Sequence, residues 1–555
     1  MAYSMFESRK FFNRGVCFAA SNWQRWWAVD STDSRSTWGS ELRRTRRSFA
    51  VKRRCNFIVW QSSLFAMKPA MRNSILRRAN ALGLSSQTWK ASSSFGCGSQ
   101  LRFHCASQRG IHDISARTFA YPRSFIANAD PSARLGKRFA SSTASKSALN
   151  KTELYDLHVE HKAKMVPFAG YSMPLQYADQ SHLESHHWTR THASLFDVSH
   201  MVQHHLIGPG ARDLLMKITP SSLDSLKDNH STLSCFLEQE TGGIVDDTVI
   251  TRLGPESFYF VTNAGRRKED LEFLTNEIEA FRQTHDPSTR ASVIHWSILD
   301  NRALLALQGP SSAAVLQSLV TQGEASVEGD LTTLHFGQCR QLHLDFPDGS
   351  HTPARLLISR TGYTGEDGFE ISIPTDHDPH LPRRVAELLL SNPEVRLAGL
   401  AARDSLRLEA GMCLYGHDIT TKQTPPVAGL GWVVGKDRRD PSSPLSSFNG
   451  SSVILPQLAS PAKTLKERRV GLTIEAGAPA REGSPIVDIN NPDTHIGIIT
   501  SGLPSPSLNG TNIAMGYIKQ GLHKKGTEVG VLVRKKLRKA TVTPMPWVET
   551  KFYRG

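Results

Sequence analysis

Acidic residues are scarce at one end of this chain. Residues 1–150 hold 25 of its 66 lysines and arginines but only 6 of its 51 acids, a balance of +19. The rest carries 41 basic and 45 acidic groups, a balance of −4. The excess positive charge therefore belongs to the beginning of the chain, and overall charge is no argument for nucleic-acid binding. Cysteine is scarce as well. Four of the seven (Cys17, Cys55, Cys97 and Cys105) lie in the basic segment. Cys235, Cys339 and Cys413 lie far apart and without metal-ligand spacing, which argues against a disulfide framework. No run of 18 apolar residues occurs, so no membrane span is expected. No Gly-x-Gly-x-x-Gly links a strand to a helix, and there is no Walker loop and no Gly-x-Ser-x-Gly elbow. Flavin, nicotinamide, nucleotide and serine-hydrolase sites are all left without a motif.

What the first 140 residues do have is arginine and serine, the composition of a mitochondrial transit peptide. MRNSILRRANALG, from Met71, fits a basic amphipathic helix, and Arg138 in GKRFASSTASK sets up a matrix-protease cut near Ala140/Ser141. A start at Met67 or Met71 stays open, as does a plain disordered basic tail. The body begins near residue 151. Helices are expected over 181–196, 210–217, 266–284 and 397–411, the last capped by Gly411. Strands are expected over 197–208, 242–250, 258–264 and 302–310, and a hairpin over 354–374. A Pro/Ser-rich stretch reads as a linker over 436–465. It separates a catalytic region, 151–435, from a small β-barrel, 466–552.

Three groups in the body are candidates for chemistry. In GGIVDDTVI, strand alternation places Asp247 with Val245 and Val249, and Asp246 with Ile244, Thr248 and Ile250. A carboxylate among aliphatic side chains is costly unless something polar meets it. The plain alternative is an acid at a solvated strand entry. In GFEISIP, Phe369, Ile371 and Ile373 face one way and Glu370 and Ser372 the other. Glu370 is either a site residue or an ordinary exposed strand acid. Arg403 shares a helical face with Arg407, where an arginine is usually a surface charge or an ion-pair partner of Asp404 or Glu409. His182 and His186 are four apart, but His-x-Glu-x-His is not the zinc signature, and a metal is not expected.

Taken together, LFDVSHM (195–201), GGIVDD (242–247), YFVTNAG (259–265), SRTGYTGEDGFEI (359–371) and LAARDSLRLEAGMCLYGHD (400–418) closely resemble the aminomethyltransferase, or T-protein, family of the glycine cleavage system. RRVGL (468–472), TSGLPSPSL (500–508), NIAMGYI (512–518) and MPWVE (545–549) extend the likeness over about residues 151–555. The resemblance implies an α+β fold of three domains around a cavity: an antiparallel-strand domain, a ferredoxin-like domain and a C-terminal β-barrel. It implies transfer of the methylene carbon from an aminomethyl-dihydrolipoyl H-protein to tetrahydrofolate in the mitochondrial matrix. Tetrahydrofolate is then a co-substrate, and no metal, flavin or nicotinamide is needed. No nucleic acid or membrane is expected as a partner. The family assigns Asp247 to the chemistry beside folate N10 and Glu370 to the pterin N–H donors. It makes Arg403 a folate contact and Tyr259, Val261, Met201, Leu233 and Trp432 the ring walls. Where the family offers a tyrosine near the C-terminus, this chain has Phe552, with Tyr553 beside it. Arg469 in RRVGL reads as structural.

The competing readings are a folate-binding iron–sulfur assembly factor of the same fold, a folate domain detached from a flavin dehydrogenase, and a non-catalytic RNA or membrane binder. The first needs a Lys-Gly-Cys-x-x-Gly-Gln-Glu motif where this chain reads EAGMCLYGHD. The second lacks its flavin domain. The third rests on the basic leader alone.

Overall fold

The computed structural model describes residues 148–286, 288–321 and 329–555. The expected leader helix and cleavage site lie outside them. Helix α1 (Tyr155–Glu160) precedes a hairpin of β1 (Lys164–Phe168) and β2 (Tyr171–Gln176). Helix α2 (His182–Thr191) begins at a capping box. Ser181 Oγ accepts the Glu184 N–H at 3.2 Å, and the Glu184 carboxylate accepts the Ser181 N–H at 2.7 Å. The helix ends earlier than expected, because β3 (Ala193–Asp197) is an apolar, wholly buried strand paired on both sides. The strand expected over 197–208 is divided for a local reason. Asp197 Oδ1 accepts the Ser199 N–H at 2.9 Å and turns the chain into β4 (Val202–Ile207), which joins a different sheet.

Helix α3 (Ala211–Ile218) then leads to β5 (His230–Leu237), β6 (Ile244–Gly254) and β7 (Ser257–Thr262). After helix α4 (Arg267–Thr284) come β8 (His295–Ile298), β9 (Arg302–Gln308) and helix α5 (Ser312–Gln317). The segment closes with β10 (Cys339–Leu342), β11 (Leu356–Ser359), β12 (Gly368–Pro374), helix α6 (Leu381–Leu390), β13 (Val395–Leu397) and helix α7 (Leu400–Glu409). Gly411 has φ +71°, the left-handed cap its position after α7 calls for.

Two sheets result. One has the order β10-β11-β12-β9-β3-β13, the other β5-β6-β7-β4-β8. Period-2 patterning gives each sheet one apolar outer face. Leu305, Leu307, Phe369, Ile371 and Ile373 pack under α1, α5 and α6. Phe236, Ile250, Phe258 and Phe260 pack under α3 and α4. Each fully buried side chain of this size contributes roughly 1.5–3 kcal/mol. The inner faces meet. Tyr259 Oη donates to Gln203 Oε1 at 2.9 Å, and Ser372 Oγ donates to the same oxygen from the other sheet.

The stretch read as a linker is packed structure. It forms helices α8 (Ser451–Ala459) and α9 (Pro461–Thr464), and Ile454 and Leu455 are buried against Leu237, Ile244 and Val434. The proline and serine pattern records short helices and turns, not a free tether. β14 (Glu467–Ile474), β15 (Pro485–Val487), β16 (His495–Ser505), β17 (Thr511–Lys519), β18 (Glu528–Val533) and β19 (Lys536–Thr543) close into a six-stranded barrel. Arg469 ties it to the rest, donating to the carbonyls of Ala428 at 2.6 Å and Gly411 at 3.1 Å. No described helix is long and apolar enough to cross a membrane.

Candidate active site

The site is built on the inner faces. Along β6 and β7, Asp247, Val249 and Val261 are half-buried, whereas Asp246, Thr248, Ile250, Phe260 and Thr262 are buried. Met201, Leu233, Glu370 and Arg403 are also half-buried, beside fully buried neighbours. Residues open in this alternating way between two packed sheets line an interior space. Arg403 borders a cavity of about 1120 Å³ and a second of about 500 Å³. The smaller one also touches Met201, Asn263 and His200.

Strand alternation is only partly obeyed at the acidic pair. A bulge leaves Val245 unpaired between the Leu237–Ile244 and Phe236–Asp246 pairs. Val245 therefore joins the outer core with Ile250 and not the face of Asp247. Beyond the bulge the expected split holds: Asp247 lies opposite Cys235, Asp246 opposite Phe236. Asn263, just after β7, is the residue that organises both acids. Its Nδ2 donates to Asp247 Oδ1 at 2.8 Å and to Asp246 Oδ1 at 2.9 Å, and its backbone N–H donates to Asp246 Oδ2 at 2.8 Å. Burial pushes the Asp247 carboxyl up to about 6, against the pull of the Asn263 amide and of Arg403.

Glu370 projects inward from β12, between Ser359 and Ala306, and burial raises its carboxyl despite Arg403. The plain readings of Arg403 fail. Asp404 pairs with Arg407 at 2.8 Å, and Glu409 with Arg190 at 2.8 Å. The Arg403 guanidinium lies 4.5 Å from the centre of the Tyr363 ring and forms no ion pair with a described residue. Tyr259 is inward and buried. Trp432 stands 61% exposed on a short 3-10 turn, next to Val433, which packs with Leu233. The Phe552 ring stacks on Phe336 at 4.2 Å, while Tyr553 Oη donates to the Thr332 carbonyl at 3.0 Å. The structure thus gathers Asp247, Glu370, Arg403, Tyr259, Val261 and Met201 around the inner faces. Leu233 and Trp432 lie on an adjoining rim, and Phe552 is held on the tail beside Phe336.

His182 and His186 do not form a ligand pair. His186 Nδ1 bonds Ser405 Oγ at 2.7 Å and its Nε2 faces Glu409 at 3.1 Å. Among the described residues no group of three or more His, Cys, Asp or Glu could hold a metal ion. Asn263 and Asp270 escaped the sequence reading. An asparagine after a strand looks like turn chemistry, and an acid in the first turn of a helix looks like a charge for its dipole.

Comparison with known proteins decides the family. Residues 154–438 match the GCVT N-terminal domain, and residues 467–549 match the glycine cleavage T-protein C-terminal barrel domain. The chain belongs to the glycine cleavage T-protein family. The mitochondrial aminomethyltransferase of Saccharomyces cerevisiae is 44% identical over 411 residues, 74% of this chain and 96% of that protein. The mitochondrial aminomethyltransferase of Homo sapiens is 44% identical over 406 residues, 73% of this chain and 91% of that one. The crystal structure of the glycine cleavage system aminomethyltransferase T from Bartonella henselae matches with a TM-score of 0.62 and 37% identity. That match covers 73% of this chain and all of that one. This T-protein is an aminomethyltransferase, a tetrahydrofolate-dependent enzyme of the glycine cleavage system, and a mitochondrial protein. Nothing in these matches favours the iron–sulfur assembly alternative.

Proposed function

We propose that Asp247, Glu370 and Arg403 carry the T-protein reaction of this chain, in the mitochondrial matrix and with lipoylated H-protein as the donor. The substrate carbon enters bonded to the lipoyl sulfur and to an amine. It leaves bonded to N5 and N10 of the folate. The C–S and C–N bonds break, two C–N bonds form, and the N5 and N10 protons end on thiol and ammonia. No electrons change hands.

Each residue then has a stated task. Glu370 accepts the paired N–H donors of the pterin, a pattern that an ionised carboxylate matches with two oxygens. Arg403, in no ion pair with a described residue, attracts the polar edge of the folate. Tyr259, Val261, Met201 and Leu233 supply the apolar walls that a ligand pocket needs. Trp432 adds a wall at the rim and Phe552 an apolar contact from the tail. Asp247 orients N10, stabilises positive charge as the amine departs and relays protons.

The observation that carries this is the state of Asp247. It is half-buried on the inner face of β6, accepts from the Asn263 amide, and is raised to about 6, close to working pH. The test is methylenetetrahydrofolate formation from aminomethyl-loaded H-protein and tetrahydrofolate, with Asp247→Asn alongside. Folate binding kept and turnover lost by about 10²–10⁴-fold is expected. Full turnover by the variant would remove Asp247 from the chemistry. Folate binding without turnover by the wild type would remove the reaction itself.

A further inference from the structure

The acids behind Asp247 take no part in that mechanism, yet they are joined to it. Asp246 and Asp270 are both fully buried. Asp270, in the first turn of α4, reaches the strand from the outer side. The groups acting on it are the Asp246 carboxyl, the Thr262 hydroxyl and Arg266. Thr262 Oγ1 is already engaged by His204 Nε2 at 3.1 Å, and neither Asp270 oxygen meets a well-aligned donor. Asp246 has the opposite character: the two N–H groups of Asn263 grip both its oxygens. Two carboxyls in contact in a buried site cannot both ionise, and a shared proton supplies the missing donor.

We propose that Asp246 and Asp270 share one proton, and that the pair positions Asp247 through Asn263. The assignment rests on Asp247 being the residue of the chemistry. Asp270 keeps the proton and donates it to Asp246, which keeps the charge. Asp246 in turn fixes which end of the Asn263 amide faces the strand. The second Nδ2 hydrogen is then delivered to Asp247. An amide turned the other way would present its oxygen to Asp247 and repel it.

The surrounding charges leave this state intact. From the turn before α4, Arg266 divides itself between the Val245 carbonyl at 3.2 Å, Glu269 at 3.5 Å and the Tyr415 ring at 5.1 Å. From β4, His204 is held neutral, lowered to about 3 by burial. From β5, the Cys235 thiol opposite Asp247 is held protonated by burial and the adjacent acids. Arg403 acts on Asp247 from the other face. Burial and the neighbouring acid raise both carboxyls, Asp270 to about 7 and Asp246 well above the usual carboxylate range, so the placement of the charge rests on the two Asn263 donors that Asp246 receives.

The test uses the full chain and three variants. Asp270→Asn replaces the protonated acid by a neutral donor of the same shape. It should keep kcat within about threefold and leave the acid limb of the kcat profile, near pH 6, unmoved. Asp246→Asn cannot accept both Asn263 hydrogens. It should lower kcat about 100-fold at little cost in KM and move that limb upward. Asp270→Leu supplies no donor and should fall between them. Infrared difference spectra of the wild type at neutral pH should show a protonated-carboxyl stretch that Asp270→Asn removes. A purely structural pair would lower stability and leave the limb where it is in every variant. That result, or a limb that falls in Asp270→Asn as a nearby negative charge is lost, overturns the proposal. So does the absence of the protonated-carboxyl band. If Asp247→Asn keeps full turnover while the band is present, the role of Asp247 fails and the shared proton stands.

Discussion

Two sets of buried carboxylates in this protein are treated in opposite ways. Glu409 and Asp197 are surrounded by donors. Glu409 accepts from Arg190, from Ser505 Oγ at 2.6 Å, and from the backbone and hydroxyl of Ser507 at 3.0 and 2.7 Å, with His186 at 3.1 Å. Asp197 accepts from Thr152 at 2.6 Å, from the Ser199 N–H at 2.9 Å, and faces His158 at 2.9 Å. Although burial acts to raise both, these partners outweigh it. Asp197 lies at about 2, and Glu409 is held far below the carboxylate range. Asp246 and Asp270 are as deeply set and Asp247 is half-buried, but their donors are few, chiefly Asn263 on the strand pair and the Thr262 hydroxyl near Asp270, and all three are raised. Glu409 and Asp197 join α2, α7 and the barrel, and α1 and β3. The starved acids are Asp247 at the site and the pair packed behind it. Burial is common to both sets; the supply of donors separates a fastening from a group that can move a proton.

The comparison can be broken from either side. The largest expected effect is the loss of turnover in Asp247→Asn, with little change in unfolding free energy. Next is Glu409→Gln, which leaves Arg190 and His186 facing a neutral amide. Urea unfolding should show a loss of roughly 3–5 kcal/mol, with the pH profile of the surviving activity unmoved. A mild effect there would mean that the donors around Glu409 are not what holds α2 to α7 and the barrel.

Asp197 gives a pH prediction of defined sign. Its folded value is depressed, so its contribution is present above about pH 4 and is lost as pH falls toward about 2. Asp197→Asn should cost about 2–3 kcal/mol at neutral pH and flatten that acid slope. The raised acids have the opposite sign: they cost stability as pH climbs from about 4 toward about 7, most plainly through Asp270. Melting temperature followed across pH separates the two slopes. Glu370→Gln tests the inner face by binding. It should weaken tetrahydrofolate about 10- to 100-fold, measured by calorimetry, because a glutamine turns one acceptor into a donor. The smallest effect belongs to Tyr553→Phe. Its hydroxyl is committed to the Thr332 carbonyl, so stability should fall by about 1 kcal/mol with folate affinity unchanged. Weaker folate binding would instead give Tyr553 the place left by Phe552.

Much of the chain could be read before folding. Motif order placed it in a family, and period-2 alternation in GFEISIP separated Phe369, Ile371 and Ile373, which pack in the core, from Glu370 on the opposite face. The left-handed cap at Gly411 was legible because backbone conformation is a local property. Other readings failed where local pattern lost to packing. Residues 193–197 look helical by continuation from α2, but they are claimed by two neighbouring strands. The Pro/Ser-rich stretch after 436 looks like a tether, yet Ile454 and Leu455 bury it. Val245 left the face that alternation gave it, because one unpaired residue shifts the register.

By itself the sequence determined which side chains could carry the chemistry, a pair of adjacent acids, a strand glutamate and a helical arginine, and that the basic charge is confined to the first part of the chain. It could not say how Asp246 and Asp247 ionise, or free Arg403 from Asp404 and Glu409. Those decisions belong to tertiary structure. The ionisation of a buried acid depends on donors brought from far along the chain: Asn263 from the end of a neighbouring strand, Asp270 from a helix on the outer face, and Ser505 and Ser507 from the barrel. No local pattern records those distances, and they set the free energy of each proton.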